Sequence, residues 1–319
     1  MSVVVGEVAM SRTLRAGVAG AGVFGGYHAR KYASIEGVTL AGVYDLDIVR
    51  ARTLAEALGV AAFDDLDALL AVVDVLTVAS PAQTHAAVAG AALAAGKSVY
   101  AEKPLATSLD EAEQLIALAR AGDLVLACGH QERVVSRAMG LLDVPETPTH
   151  LEAVRRQPWG VRNTDVSCVL DLMIHDIDLA LALNPAEALV VEAEGRVTQG
   201  PWLDEVRAKA TLADGSTVVL EASRIAPERE RRMRVVFPSG EVEIDFVTRA
   251  FRNTTPFALD PNFIDTPAGR DPLGASVAAF LAAVRREASR PAVTGQEAAR
   301  ALHFALAVES CASASPLSV

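Results

Sequence analysis

Leu14-Arg-Ala-Gly-Val-Ala-Gly20-Ala-Gly22-Val-Phe-Gly25-Gly-Tyr-His-Ala-Arg-Lys-Tyr-Ala-Ser34 runs from an apolar stretch through a glycine turn into a helix. The Gly20-x-Gly22-x-x-Gly25 spacing is weak evidence alone in a chain with 22 glycines. Its context, after a strand and opening a helix, makes it specific. Gly20 permits the tight turn, Gly22 lets backbone approach a pyrophosphate, and Gly25 lets helix and strand pack closely. The helix N-terminus, with Val23 and Phe24 in the turn, then faces the phosphates. A second apolar run, Val38–Tyr44, ends at Asp45, where a carboxylate can bind ribose hydroxyls. That carboxylate would repel a 2′-phosphate, so NAD is expected and NADP disfavoured. The alternative is a glycine-rich turn beside an ordinary strand-end Asp.

The pattern continues outward from this turn. Apolar runs at Val73–Ala79, Ser98–Ala101 and Leu124–Cys128 alternate with helical stretches near Asp47–Leu58, Thr84–Ala95 and Leu109–Ala121. Such alternation predicts an α/β fold with a doubly wound parallel sheet covered on both faces. After about residue 145 the pattern changes to Thr149–Arg156, Leu189–Thr198, Val206–Leu212, Thr217–Ile225, Arg232–Phe237 and Val242–Phe246. Asp214-Gly215 and Ser239-Gly240 are hairpin turns. Helices near Pro272–Ala288 and Gln296–Ala312 close the chain. The expectation is a Rossmann domain over residues 1–130, with 1–10 a possible tail, and an α+β domain over 131–319. The second domain should carry a large, mostly antiparallel open sheet. Val218, Leu220 and Val235 alternate along that sheet, and an exposed apolar face would join copies into a homodimer or homotetramer.

A 319-residue chain that is 51% hydrophobic and 22% charged has material for a substantial core. Its net charge of -11 disfavours nucleic acid and anionic membrane as partners. No apolar run has transmembrane length. The three cysteines lack metal-ligand spacing and do not form an even disulfide set, which fits a reducing, cytoplasmic compartment. The six histidines show no metal constellation, so no metal is expected.

The chemistry concentrates in two places. Residues 165–183 read as a buried helix that nevertheless carries Asp171, His175, Asp176 and Asp178. Asp171 and His175 are four apart, so a regular helix would stack them on one face. An Asp–His pair in an apolar wall is either a structural hydrogen bond or a proton-transfer group. Asp176 points elsewhere and is given no role, and Asp178 is a supporting candidate. Glu102-Lys103-Pro104 follows a strand of the parallel sheet, at the edge where open α/β sheets bind ligands.

Gly20–Gly25, Ser80-Pro81 with His85, Glu102-Lys103-Pro104 and Asp171-x-x-x-His175 occur in an order that resembles the Gfo/Idh/MocA oxidoreductases. The similarity runs from about Leu14 to the final helices. It implies hydride transfer between NAD(P) and a sugar or cyclitol carbinol, with a cis bond at Lys103-Pro104. It also implies that Gly20, Gly22, Val23, Phe24, Gly25, Asp45, Ser80, Pro81, His85, Glu102 and Lys103 line the cofactor site. Lys103, Asp171 and His175 would be catalytic. His175 is the first choice of base with Asp171 orienting it, and exchanged roles for Lys103 and His175 remain open.

A narrower similarity, to the UDP-N-acetylglucosamine 3-dehydrogenase group, rests on Val169–Asp178 preceded by Arg162 and Asp165. Ala222–Ile225, Arg232–Val235 and Glu243–Phe246 extend it. It implies oxidation of a nucleotide-sugar hydroxyl at C3. Arg155, Arg156 and Arg162 are then candidates for the diphosphate, Trp159 for stacking, and Asp165 and His175 for further substrate contact. Two departures stand out. Ser167-Cys168 replace a glycine pair, and Gln131–Ser136 replaces an Arg-Phe-Asn-Pro run while keeping Arg133. An inositol or free-sugar dehydrogenase and a non-catalytic NAD-binding sensor are the competing readings.

Overall fold

The structure, a computed structural model, describes residues 13–160, 164–315 and 317. The expected tail at 1–10 and Arg162 lie outside the described residues.

Six parallel strands form the first sheet: β1 (Leu14–Ala19), β2 (Val38–Tyr44), β3 (Ala61–Phe63), β4 (Val75–Val78), β5 (Ser98–Ala101) and β6 (Leu126–Cys128). Their spatial order is β3-β2-β1-β4-β5-β6. Helices α1 (Val23–Ser34), α2 (Ile48–Leu58), α3 (Leu66–Val72), α4 (His85–Ala94) and α5 (Leu109–Ala121) connect them. Both β4 and β5 are buried along their whole length, as strands covered on two faces must be. Asp47 caps α2, and a Ser108–Glu111 capping box starts α5. The order reverses between β1 and β4, so a crevice opens beyond their carboxyl ends.

Helix α6 (Glu132–Ala138) leads into β7 (His150–Arg156) of the second sheet. A π-helical turn (Val169–Met173) and α7 (Ile174–Leu183) follow, and then β8 (Ala188–Arg196), β9 (Glu205–Leu212), β10 (Thr217–Ser223), β11 (Glu230–Phe237), β12 (Gly240–Asp245) and β13 (Ala250–Asn253). Their order is β13-β12-β11-β7-β10-β9-β8. All neighbours are antiparallel except β7 and β10. A short α8 (Pro267–Arg270), α9 (Pro272–Val284) and α10 (Gly295–Ala314) complete the chain. Helices α7 and α10 pack on the second sheet. Helix α9, by contrast, joins the first layer in space, where Val277, Phe280 and Leu281 share a core with Val18, Tyr32 and Tyr100.

The open face of the second sheet differs from the expectation. Val218, Leu220 and Val235 are 3%, 2% and 0% exposed, because the two-residue period turns them toward the helices. The opposite face carries cross-strand ion pairs instead. Arg156 meets Glu221 at 2.5 Å, Arg234 meets Glu241 at 2.6 Å, and Arg252 meets Glu243 at 2.9 Å.

Candidate active site

The glycine turn sits at the point where the strand order reverses, and each glycine has its own reason. Gly20 has φ +104°, and a Cβ there would lie 2.5 Å from the Ala79 carbonyl oxygen at the end of β4. At Gly25 a Cβ would fall 1.7 Å from the Gly20 oxygen. At Gly22 it would meet nothing within 4 Å, so backbone here faces open space. Gly22 is also the N-cap of α1 and supplies no side-chain cap, which leaves the positive end of the helix turned to that space. Val23 beside it is solvent-facing and Phe24 half-buried. Asp45 accepts from Ala21 N at 2.7 Å and from Asp47 N at 2.9 Å, bracing the turn at the end of β2. This cradle fits a dinucleotide pyrophosphate with a ribose beside Asp45.

The loops after β4 and β5 are tied together. His85, buried at the start of α4, lies with Nε2 2.9 Å from the Ser80 carbonyl oxygen and Nδ1 2.7 Å from that of Pro104. Pro81 begins the single 3-10 turn between them, and the Lys103-Pro104 bond is cis. Glu102 has its carboxylate buried 2.7 Å from His28 Nε2, so it braces α1 against the end of β5. His28 thereby has the partner that its sequence neighbourhood hides.

Lys103 Nζ donates to Oδ1 of Asp171 at 2.8 Å and to its carbonyl oxygen at 2.6 Å. Asp171 therefore holds Lys103, and the expected orientation of His175 by Asp171 is corrected. His175 Nδ1 lies instead 2.7 Å from Oε2 of Glu132, close but poorly aligned for a hydrogen bond. The reason is local: Asp171 lies in the π-helical turn and His175 in the α-helix after it. The wider turn breaks the four-residue register that would stack them.

Arg155 is also corrected. It is 1% exposed, and its guanidinium is committed to protein carboxylates: to both oxygens of Asp176, at 2.9 and 2.8 Å, and to Oε1 of Glu132 at 2.9 Å. It is a buried strut, not a phosphate ligand. Asp176, which pattern alone left without a role, anchors it. Asp178 holds Arg133 through two bonds of 2.7 and 2.8 Å, and Arg133 reaches Glu297 in the capping box of α10. Arg156 is taken up by Glu221 and Glu230 on the open face. Trp159 is 38% exposed, with the Arg224 guanidinium 5.3 Å from its ring centre. Asp165 lies near the first layer, its carbonyl oxygen accepting from Gln83.

These contacts set the electrostatics. Burial lowers the pKa of His175 to about 4, against an opposing pull from Glu132. Burial pushes the Glu132 carboxyl up, but His175 and Arg155 outweigh it and hold the group well below its ordinary range. The pair therefore rests as a neutral imidazole beside a carboxylate. A proton on Nδ1, on the side of Glu132, would leave the Nε2 lone pair to accept a proton. Among the described residues no group of His, Cys, Asp and Glu is arranged to hold a metal.

Comparison with known proteins follows the same division of the chain. Residues 14–130 match the oxidoreductase family with an NAD-binding Rossmann fold, and residues 143–243 match the GFO/IDH/MocA C-terminal domain. The chain belongs to the GFO/IDH/MocA family of NAD-binding oxidoreductases. It is 38% identical to a UDP-N-acetylglucosamine 3-dehydrogenase of Acidithiobacillus ferrooxidans, over 93% of this chain and 98% of that one. A solved structure of that enzyme superimposes with a TM-score of 0.87 over 94% of this chain and 98% of the other, at 36% identity. A myo-inositol 2-dehydrogenase of Thermotoga maritima is 30% identical over 65% of this chain and 64% of its own length. The fold is shared with GenD2 from gentamicin A biosynthesis, solved in complex with NAD, at a TM-score of 0.81 over 98% of this chain and 97% of that one, at 24% identity.

Glu132, in contact with His175 and Arg155, is the residue of this candidate site that sequence reading missed. Its signal was the unusual Gln131–Ser136 run after β6: an acidic side chain at the ligand-binding edge of a parallel sheet.

Proposed function

We propose that this NAD-dependent dehydrogenase oxidises a secondary hydroxyl of a nucleotide sugar to a ketone, at C3 of a UDP-N-acetylglucosamine-like substrate. The observation that carries the chemistry is His175 Nδ1 lying 2.7 Å from Glu132, together with Lys103 Nζ held 2.8 Å from Asp171. The relative with that named activity, matched along nearly the whole of both chains, supports the substrate class.

Gly20, Gly22, Gly25, Val23, Phe24 and Asp45 hold NAD, with Ser80, Pro81 and Lys103 on the facing loops. Bound NAD supplies the hydride acceptor. His175 Nε2 takes the hydroxyl proton as general base, and the Glu132 carboxylate stabilises the imidazolium that forms. Lys103 Nζ, its protons already directed at oxygen acceptors, donates to the developing oxyanion. Trp159 and Asp165 border the substrate, and Arg162 is a further candidate from its place in the sequence alone. The domain division falls near residue 130, and assembly into a homodimer or homotetramer uses the charged open face, whose mixed signs can pair about a two-fold axis. Light scattering at micromolar concentration tests the assembly, and a monomer mass rejects it. Three free cysteines and an NAD requirement support a cytoplasmic setting, which cell fractionation checks.

The deciding experiment is a panel of UDP-sugars, free sugars and inositols with NAD and NADP, followed by absorbance of the reduced cofactor. Turnover of UDP-N-acetylglucosamine with NAD is expected. Turnover of inositols alone would move the substrate to the cyclitols. NAD binding without turnover on any member would make the protein a sensor.

A further inference from the structure

One guanidinium beside the active-site network makes no direct hydrogen bond or ion pair among the described residues. Arg231 stands across from Arg155 in the ladder between β7 and β11. It shares the face of β11 that carries buried Met233 and Val235, so it points to the α7 side of the sheet. Arg155 has its charge matched by Asp176 and Glu132. Among the described residues, no ion pair or side-chain hydrogen bond engages Arg231, although it is half-buried. Burial and the like charges of Arg155 and Arg229 work against its charged form and outweigh the attraction of Glu132 and Asp176. A half-buried guanidinium with no direct protein bond keeps its donors available to an anion.

The surroundings indicate which anion. Arg231 neighbours Arg155, which bonds Glu132 at 2.9 Å, which in turn contacts His175 at 2.7 Å. The socket thus lies beside the proton-accepting group, separated from it by two side chains. Arg229 lies just before β11 and is exposed. The loop after β7 is fastened to the loop before β11: Gln157 N donates to Ser223 O at 2.8 Å, and Ala226 N to Gln157 O at 3.2 Å. That tie brings exposed Trp159 to the same end of the sheet, with Arg224 holding its ring.

We propose that Arg231, flanked by Arg229, is the socket for the diphosphate of a nucleoside-diphosphate sugar, and that Trp159 is the platform for its base. The inference rests on the nucleotide-sugar reading above and replaces Arg155 as the phosphate ligand. A guanidinium fork matches phosphate oxygens two at a time, and an indole offers a stacking face to a base. In such a substrate the sugar ring spans from the reacting carbinol at His175 to the anion at Arg231. An inositol or free sugar would bring no anion to Arg231.

The test is isothermal titration of UDP into NAD-saturated protein, wild type against Arg231→Gln and Trp159→Ala, with steady-state kinetics on UDP-N-acetylglucosamine. Arg231→Gln should weaken UDP by about 10- to 100-fold, the loss of charge-assisted bonds. It should raise KM with kcat and NAD affinity near wild type, and unchanged NAD affinity confirms that the variant folds. Arg231→Lys, which keeps the charge but not the fork, should fall between. Trp159→Ala should weaken UDP by roughly 5- to 100-fold. Equal UDP affinity in wild type and Arg231→Gln overturns the socket while leaving the nucleotide-sugar reading intact. A wild-type protein that ignores UDP yet oxidises inositols or free sugars overturns both.

Discussion

His175 derives its chemistry from the direction of its Nδ1 atom. A histidine lined up with Asp171 would share that carboxylate with Lys103; the π-helical turn separates the two pairs and gives each a carboxylate of its own. Replacing either His175 or Lys103 with Ala should lower kcat by roughly 10²- to 10⁴-fold, the usual scale of general acid–base catalysis. NAD affinity, measured by fluorescence titration, should stay near wild type. Turnover close to wild type in both variants would remove them from the mechanism. The depressed His175 pKa also has a stability consequence. Above pH 6.5 the residue is neutral in both folded and unfolded chains and contributes nothing. As pH falls toward 4 the unfolded chain takes up the proton and the folded protein does not, so stability drops, by roughly 3 kcal/mol in full. Denaturant unfolding between pH 7 and 4 should show this loss, and His175→Gln should reduce it. The stabilising share of Glu132, whose pKa is depressed as an acid's, is lost only at lower pH.

At the scale of elements, the glycine turn and the buried ion pairs make opposite demands. Gly22→Ala introduces a methyl group into open space, so the fold should survive while the added group obstructs the pyrophosphate and weakens NAD by about tenfold or more. Gly25→Ala drives a methyl group into the Gly20 carbonyl, so the turn itself must shift and thermal stability should fall along with binding. Circular dichroism melts beside NAD titrations separate the two outcomes, and identical effects would contradict the assigned roles. Arg155→Met leaves Asp176 buried and Glu132 without its brace. Such broken pairs typically cost about 3–5 kcal/mol, which urea unfolding should register. Much of this level is legible from pattern. The parallel strands, the turn and the second sheet follow from runs of apolar residues, period-two alternation and Gly-containing turns. Short elements such as β3, α3 and α6 were not legible, because three to seven residues carry too little periodicity.

For the whole molecule, the bound cofactor should act as a stabilising ligand. At a concentration near 100 times Kd, NAD adds about 2.7 kcal/mol to the folded state. A thermal-shift series should therefore rise with NAD and rise less with NADP, since Asp45 opposes a 2′-phosphate; equal shifts would reject that selectivity.

What the sequence by itself determined is local and periodic: the nucleotide-binding turn, the order of layers, and the presence of Lys103, Asp171 and His175 near one sheet edge. Spacing and hydrophobic pattern are properties of neighbours in the chain, and those features depend on neighbours. Which carboxylate serves which base, that Arg155 is a strut while Arg231 makes no direct bond among the described residues, and which face of the second sheet is apolar were decided by tertiary structure. Each is a choice among partners from remote segments, such as Glu132 with Arg155 and His175, and the lowest-energy pairing of buried charges depends on distances that no single segment contains.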